Sequence, residues 1–128
     1  MSTLKVTNIQ DTGGSNSSTS AEIYSGRAKA WVNFDGTGTV AIRASFNVSS
    51  ITDNGTGIYT VNFSSSLPDS SYAFSGGVRY NTGDGRGNMF VAAWNDGAYY
   101  ASSSLRINTC NDGGGQYDAV VVNVSIFR

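Results

Sequence analysis

Apolar and polar residues alternate with period two along most of this chain, and turn-forming residues break the alternation about every ten residues. Period two is the spacing of side chains on one face of a β-strand, so the pattern predicts strands joined by tight turns. The cleanest stripe is Val120, Val122, Val124 and Ile126, followed by Tyr59, Val61 and Phe63. Tyr72, Phe74, Val78 and Tyr80 fall on one face of a further strand. About eight strands are expected across 27–128, seven of them at residues 28–34, 39–47, 58–63, 72–80, 88–95, 104–110 and 117–127, and no helical period is visible. Asp53-Asn54-Gly55-Thr56-Gly57 is a strong hairpin signal. The expectation is an all-β antiparallel β-sandwich, jelly-roll-like, over residues 27–128.

Residues 1–26 read differently. Leu4 and Val6 alternate with Lys5 and Thr7 up to Ile9, which predicts a short strand, and residues 11–20 (DTGGSNSSTS) have the composition of a flexible linker. This segment is expected to be an extended N-terminal arm, with Leu4, Val6 and Ile9 as its anchoring side chains.

Two strands are apolar on both faces. Residues 28–34 carry Val32 and Phe34 on one face and Trp31 on the other, so the register across Asp35-Gly36-Thr37-Gly38 stays open: a four-residue loop pairs Trp31 with Ile42 and a five-residue loop with Arg43. In residues 88–95, Met89, Val91 and Ala93 oppose Phe90, Ala92 and Trp94. A strand apolar on both faces of a two-layer sandwich needs a second covering surface. Trp31, Phe90 and Trp94 are therefore expected at a subunit interface.

Composition narrows the function classes. Ser, Thr, Asn and Gly make up 58 of 128 residues, yet 15 aromatic residues are too many for a chain that cannot bury itself. With 8 basic and 9 acidic residues and no basic run, the chain lacks the footprint of a nucleic-acid binder. There is no histidine and one cysteine, which excludes an internal disulfide and a Cys/His zinc site; Cys110 reads as a small buried hydrophobe. No basic-then-apolar leader or long apolar run occurs, so synthesis in a cytoplasm without membrane insertion is expected.

Catalytic groups are equally sparse. Serine and cysteine nucleophiles commonly use an imidazole base, and none exists here. The nine acids sit mostly beside Gly or Asn, where aspartate makes turns, rather than in pairs on an apolar face where one pKa would rise. No enzymatic activity and no cofactor are expected. The loops at 81–88 (NTGDGRGN) and 111–118 (NDGGGQYD) offer only one or two acids each, fewer than a tight calcium site wants. Exposed aromatics beside Asp and Asn suit sugar rings. Tyr80, Asp84, Arg86, Asn95, Asp96, Tyr99 and Tyr100 are accordingly the candidate host-facing loop residues, against the plainer reading of Tyr80 and Trp94 as core or interface.

The run AKAWVNF at 28–34, GTGTVAIRASFNVSSITDNGTG at 36–57 and YTVNF at 59–63 resembles a module of tail-fibre and other virion structural proteins of marine (cyanophage- and pelagiphage-type) bacteriophages. The opening MSTLKVTNIQDTGG is similar to the start of many such proteins, and SLPDSSYAFSG at 66–76 continues the likeness more loosely. The resemblance implies a virion surface protein, made in the host cytoplasm, attached to other virion proteins by its arm and meeting a host-surface glycan or protein. It also implies a homotrimer, since fibres and appendages are three-fold. The chain has no heptads or repeats, which favours a short appendage or capsid decoration over a long fibre. The alternative is a carbohydrate-binding, lectin-like module without a virion role.

Overall fold

The computed structural model describes residues 1–79, 87–91, 99–111 and 113–128, with 87–91 described by backbone pairing alone. The strands are β1 (Asn8–Gln10), β2 (Ser17–Thr19), β3 (Ala30–Asp35), β4 (Ala41–Phe46), β5 (Val48–Asp53), β6 (Ile58–Phe63), β7 (Ala73–Arg79), β8 (Gly87–Val91), β9 (Tyr100–Ala101), β10 (Ser104–Asn111) and β11 (Val121–Phe127). One helix, α1 (Ser20–Gly26), follows the β1–β2 hairpin.

Two antiparallel sheets, β4-β3-β11-β7 and β5-β6-β10-β8 with β9 added beside β10, form the predicted all-β sandwich. Its first and last strands pair, Val124 standing opposite Val32. The core is the set of alternate positions facing inward: Ala30, Val32, Phe34, Val122, Val124 and Ile126 from one sheet, Tyr59, Val61, Phe63, Leu105 and Ile107 from the other. Each of the Val, Leu, Ile and Phe side chains among them contributes about 1.5–3 kcal/mol when withdrawn from water. Val120 is the exception in its stripe. It lies half-buried in a bend before β11, and its carbonyl accepts from Arg43 Nη2 at 2.6 Å. Cys110 is buried as expected, and burial pushes its thiol pKa up.

Neither register expected at the first turn occurs. Trp31 pairs with Phe46, and a bulge between Asn33 and Phe34 then places Phe34 opposite Ile42. The loop is five residues, 36–40, one of the two expected lengths, but it starts one residue later because Asp35 pairs with Ala41, and Val40 turns in against the core. Gly36 is pinned too, its N–H donating to Ala119 O at 2.9 Å. β5 is a strand in its own right, in the other sheet, entered through Asn47 at φ 54°, a conformation Asn tolerates better than most residues.

The arm also departs from expectation. Its Gly/Ser-rich segment is a hairpin turn organised by Asp11, whose Oδ1 accepts from Ser15 N at 2.9 Å and whose Oδ2 accepts from Asn16 Nδ2 at 2.9 Å. α1 starts with a capping box: Glu22 N donates to Thr19 Oγ1 at 3.1 Å and Thr19 N to Glu22 Oε2 at 2.7 Å. The Thr-x-x-Glu spacing at 19–22 signals this helix in the sequence; period analysis misses it because seven residues complete barely two turns.

Two inward tyrosines make the fold sensitive to alkali. Burial, and then the charge that Tyr100 takes on when it ionises, pushes the Tyr72 hydroxyl up to about 12. Burial, with a hydrogen bond to the Asp118 carboxylate, pushes Tyr59 up as well. Both folded values lie above the unfolded value of about 10, so their stabilising contribution is complete below that pH and is lost as pH rises through the folded values. In a spectrophotometric titration of the native protein, Tyr59 and Tyr72 should ionise only together with unfolding. Titration of all seven tyrosines in one reversible step near pH 10 would contradict this.

Candidate functional site

The surfaces most unlike an ordinary sandwich are the arm and the corner where it joins β3. Every residue from 1 to 27 is exposed. Leu4 is 84 % and Ile9 58 % exposed, and Val6, Ile23 and Tyr24 are uncovered as well. Ile9 and Ile23 line a hollow of about 680 Å³ between hairpin and helix. The three expected anchoring side chains thus stand free of their own subunit. Only Ile9 lies in a strand, because residues 1–7 take no regular structure.

The two outer sheet faces differ in chemistry. Across β5-β6 the outer face is a polar ladder: Asn62 Nδ2 donates to Ser50 Oγ at 3.1 Å and Thr52 Oγ1 at 2.9 Å. The outer face of β4-β3-β11-β7 instead presents Trp31, 39 % exposed, beside Phe46, with Phe127 also exposed. Trp31, expected at an interface, is available for one. Phe90 lies in β8 opposite Asn108 in the ladder. Trp94 lies outside the described residues.

Of the expected host-facing residues, Tyr80, Asp84, Arg86, Asn95 and Asp96 also lie outside the described residues. Tyr99 is half-buried, and Tyr100 is exposed with its ring 5.1 Å from that of Tyr72. Tyr100 is thus part of a tyrosine pair whose inner member, Tyr72, donates to Ser104 O at 2.9 Å.

Sequence reasoning missed the cleft at the root of the arm. It has a volume of about 600 Å³ and is lined by Tyr24, Arg27, Lys29, Phe46, Ser66 and Pro68, among others, with Arg128 at its border. Asn47 holds its parts together. Asn47 Nδ2 donates to Lys29 O and Ser65 O, each at 3.1 Å, and Oδ1 accepts from Ser65 N at 2.8 Å. Lys29 Nζ donates to Tyr24 O and lies 3.8 Å from the Tyr24 ring centroid; the Arg27 guanidinium lies 5.1 Å from the same ring. Arg128 is engaged by Asp69, through Nε at 2.8 Å and Nη2 at 2.5 Å. The available signal was the spacing of Arg27, Lys29 and Trp31, which an extended backbone directs to one side.

At the other end of the sandwich Asp118 does structural work. Its Oδ1 accepts from Gly57 N and from the Tyr59 hydroxyl, both at 2.8 Å, tying its own segment to the end of the β5–β6 hairpin and to strand β6. Asp118 here closes the fold.

No protein-family model matches this chain, and no curated protein or solved structure is significantly similar to it. Among the described residues no helix is long and apolar enough to cross a membrane.

Proposed function

We propose that this chain is a non-enzymatic surface protein of a bacteriophage particle, a short appendage or capsid decoration anchored by its arm and contributing to host attachment. The observation that carries the reading is the arm. A two-stranded hairpin is marginal by itself in water, and a seven-residue helix is less stable still. An arm of that kind, with Leu4, Val6, Ile9 and Ile23 uncovered, gains its stability by burial against another chain. The virion resemblance of residues 1–14 and 28–63 supplies the partner class. The outward Trp31 and Phe127 of the β4-β3-β11-β7 face support self-association of the sandwich, and three-fold symmetry is the choice that suits fibres and appendages. The protein is made in the host cytoplasm and works on the particle surface.

Deleting residues 2–20 should abolish incorporation into particles while leaving the sandwich folded, because none of its core residues comes from the arm. The truncated protein should still sediment as a trimer. Normal incorporation of the truncated chain would show that the arm is not the anchor, and a monomer for the intact protein at micromolar concentration would remove the trimer.

A further inference from the structure

The corner cleft carries an imbalance of charge. Arg27 and Lys29 share the Tyr24 ring, and among the described residues neither makes an ion pair. Asp69, the acid bonded to Arg128 beside them, is already engaged in a two-point contact. Lys29 spends two donors on the carbonyls of Tyr24 and Arg27, leaving one, whereas Arg27 keeps its fork of donors for an incoming group. Partial burial, and then the neighbouring Arg27 charge, lowers the Lys29 pKa, as expected where positive charge is held without a counter-charge.

Beside these cations the cleft offers an apolar plane and hydroxyls. Phe46 is 53 % exposed, and Ser65 and Ser66 are exposed next to Leu67 and Pro68. A planar cation reads carboxylate or sulfate through paired N–H groups. An aromatic face takes the C–H side of a pyranose, and serine hydroxyls meet its hydroxyls. We propose that the cleft binds one acidic unit of an anionic polysaccharide, a uronate or a sulfated sugar, with its anionic group on Arg27 and Lys29 and its ring on Phe46. Tyr24 and Asn47 are positioning residues: one stacks beneath both cations, the other ties the Lys29 strand to the Ser65 connection. The attachment reading supplies the source of such a ligand, a host-surface glycan, and for that source alone the proposal rests on it.

The test is an amide-shift titration of the isotope-labelled full chain with trigalacturonate, a sulfated carrageenan tetrasaccharide, maltotriose and inorganic sulfate. At least one acidic oligosaccharide should shift the amides of Lys29, Asn47, Ser65 and Leu67, and maltotriose should not. A response to the uronate alone or the sulfated sugar alone identifies which acid is read. The double substitution Arg27→Ala/Lys29→Ala should weaken binding about tenfold or more, and Phe46→Ala several-fold, with an unchanged melting temperature; Lys5→Ala should leave binding intact. Three results would each overturn the proposal: no response to either acidic sugar at about 10 mM, equal binding of maltotriose, or undiminished binding by the double variant. Inorganic sulfate shifting the same amides at the same concentration as the tetrasaccharide would overturn its sugar part. Because the free protein is titrated, failure here is separable from failure of the arm to anchor.

Discussion

Gly57→Ala is expected to destabilise the sandwich by roughly 3 kcal/mol or more. Gly57 ends the hairpin between β5 and β6 at φ 69°, where an L side chain costs about 1–2 kcal/mol. Its added Cβ would also lie 2.6 Å from Thr109 O and 2.9 Å from both Tyr117 N and Tyr117 O. All three are backbone atoms, and they are held: Thr109 N donates to Gly57 O at 2.8 Å, and Tyr117 N to Thr109 O at 3.2 Å. Relief therefore requires moving strand β10 or the crossover that follows it, an overpacking cost of about 1–3 kcal/mol. Gly38 is the internal control, with φ 59° and no atom within 4 Å of an added Cβ. Gly38→Ala should cost only the backbone term, about 1–2 kcal/mol. Urea denaturation of the two variants measures the difference, and equal midpoints at equal slopes would show that the hairpin end is not tightly enclosed.

Tyr59→Ala should cost about 3–5 kcal/mol in lost packing, and more through the polar groups it strands. The ring is fully buried and stands edge-on to Phe34, centroids 5.2 Å apart at 74°. Its hydroxyl lies 2.8 Å from Asp118 Oδ1 and 3.0 Å from Gly36 O, with the proton best given to the carboxylate. Gly36 lacks a Cβ because one would sit 2.5 Å from that hydroxyl oxygen. Tyr59→Phe separates the two contributions. It keeps the ring and should cost about 1.5–3 kcal/mol for the lost bond to a charged acceptor. A Tyr59→Phe variant as stable as the parent in urea would mean that Asp118 closes the loops through Gly57 alone.

The sandwich was legible because each sheet buries one face, and burial of one face imposes period two on Tyr59, Val61 and Phe63 and on Val122, Val124 and Ile126. Local chemistry is written in the sequence wherever it is local: in the Asp53–Gly57 turn, and in the Thr-x-x-Glu spacing of the Thr19–Glu22 capping box. Val120 and the β3–β4 register were not legible, since a bulge and an inward Val40 are chosen by fit to the opposite sheet and leave no periodic trace. The same limit hid the corner cleft. Arg27 and Lys29 are two residues apart in sequence, but Asn47, Ser65 and Arg128 reach them only through the crossover between sheets and the return of the last strand. Alternation along the chain determined which residues leave water, because that choice is made strand by strand. Which loops and charges meet at a corner was decided only by tertiary packing, because segments distant in sequence are brought together by the burial of faces that carry none of those charges.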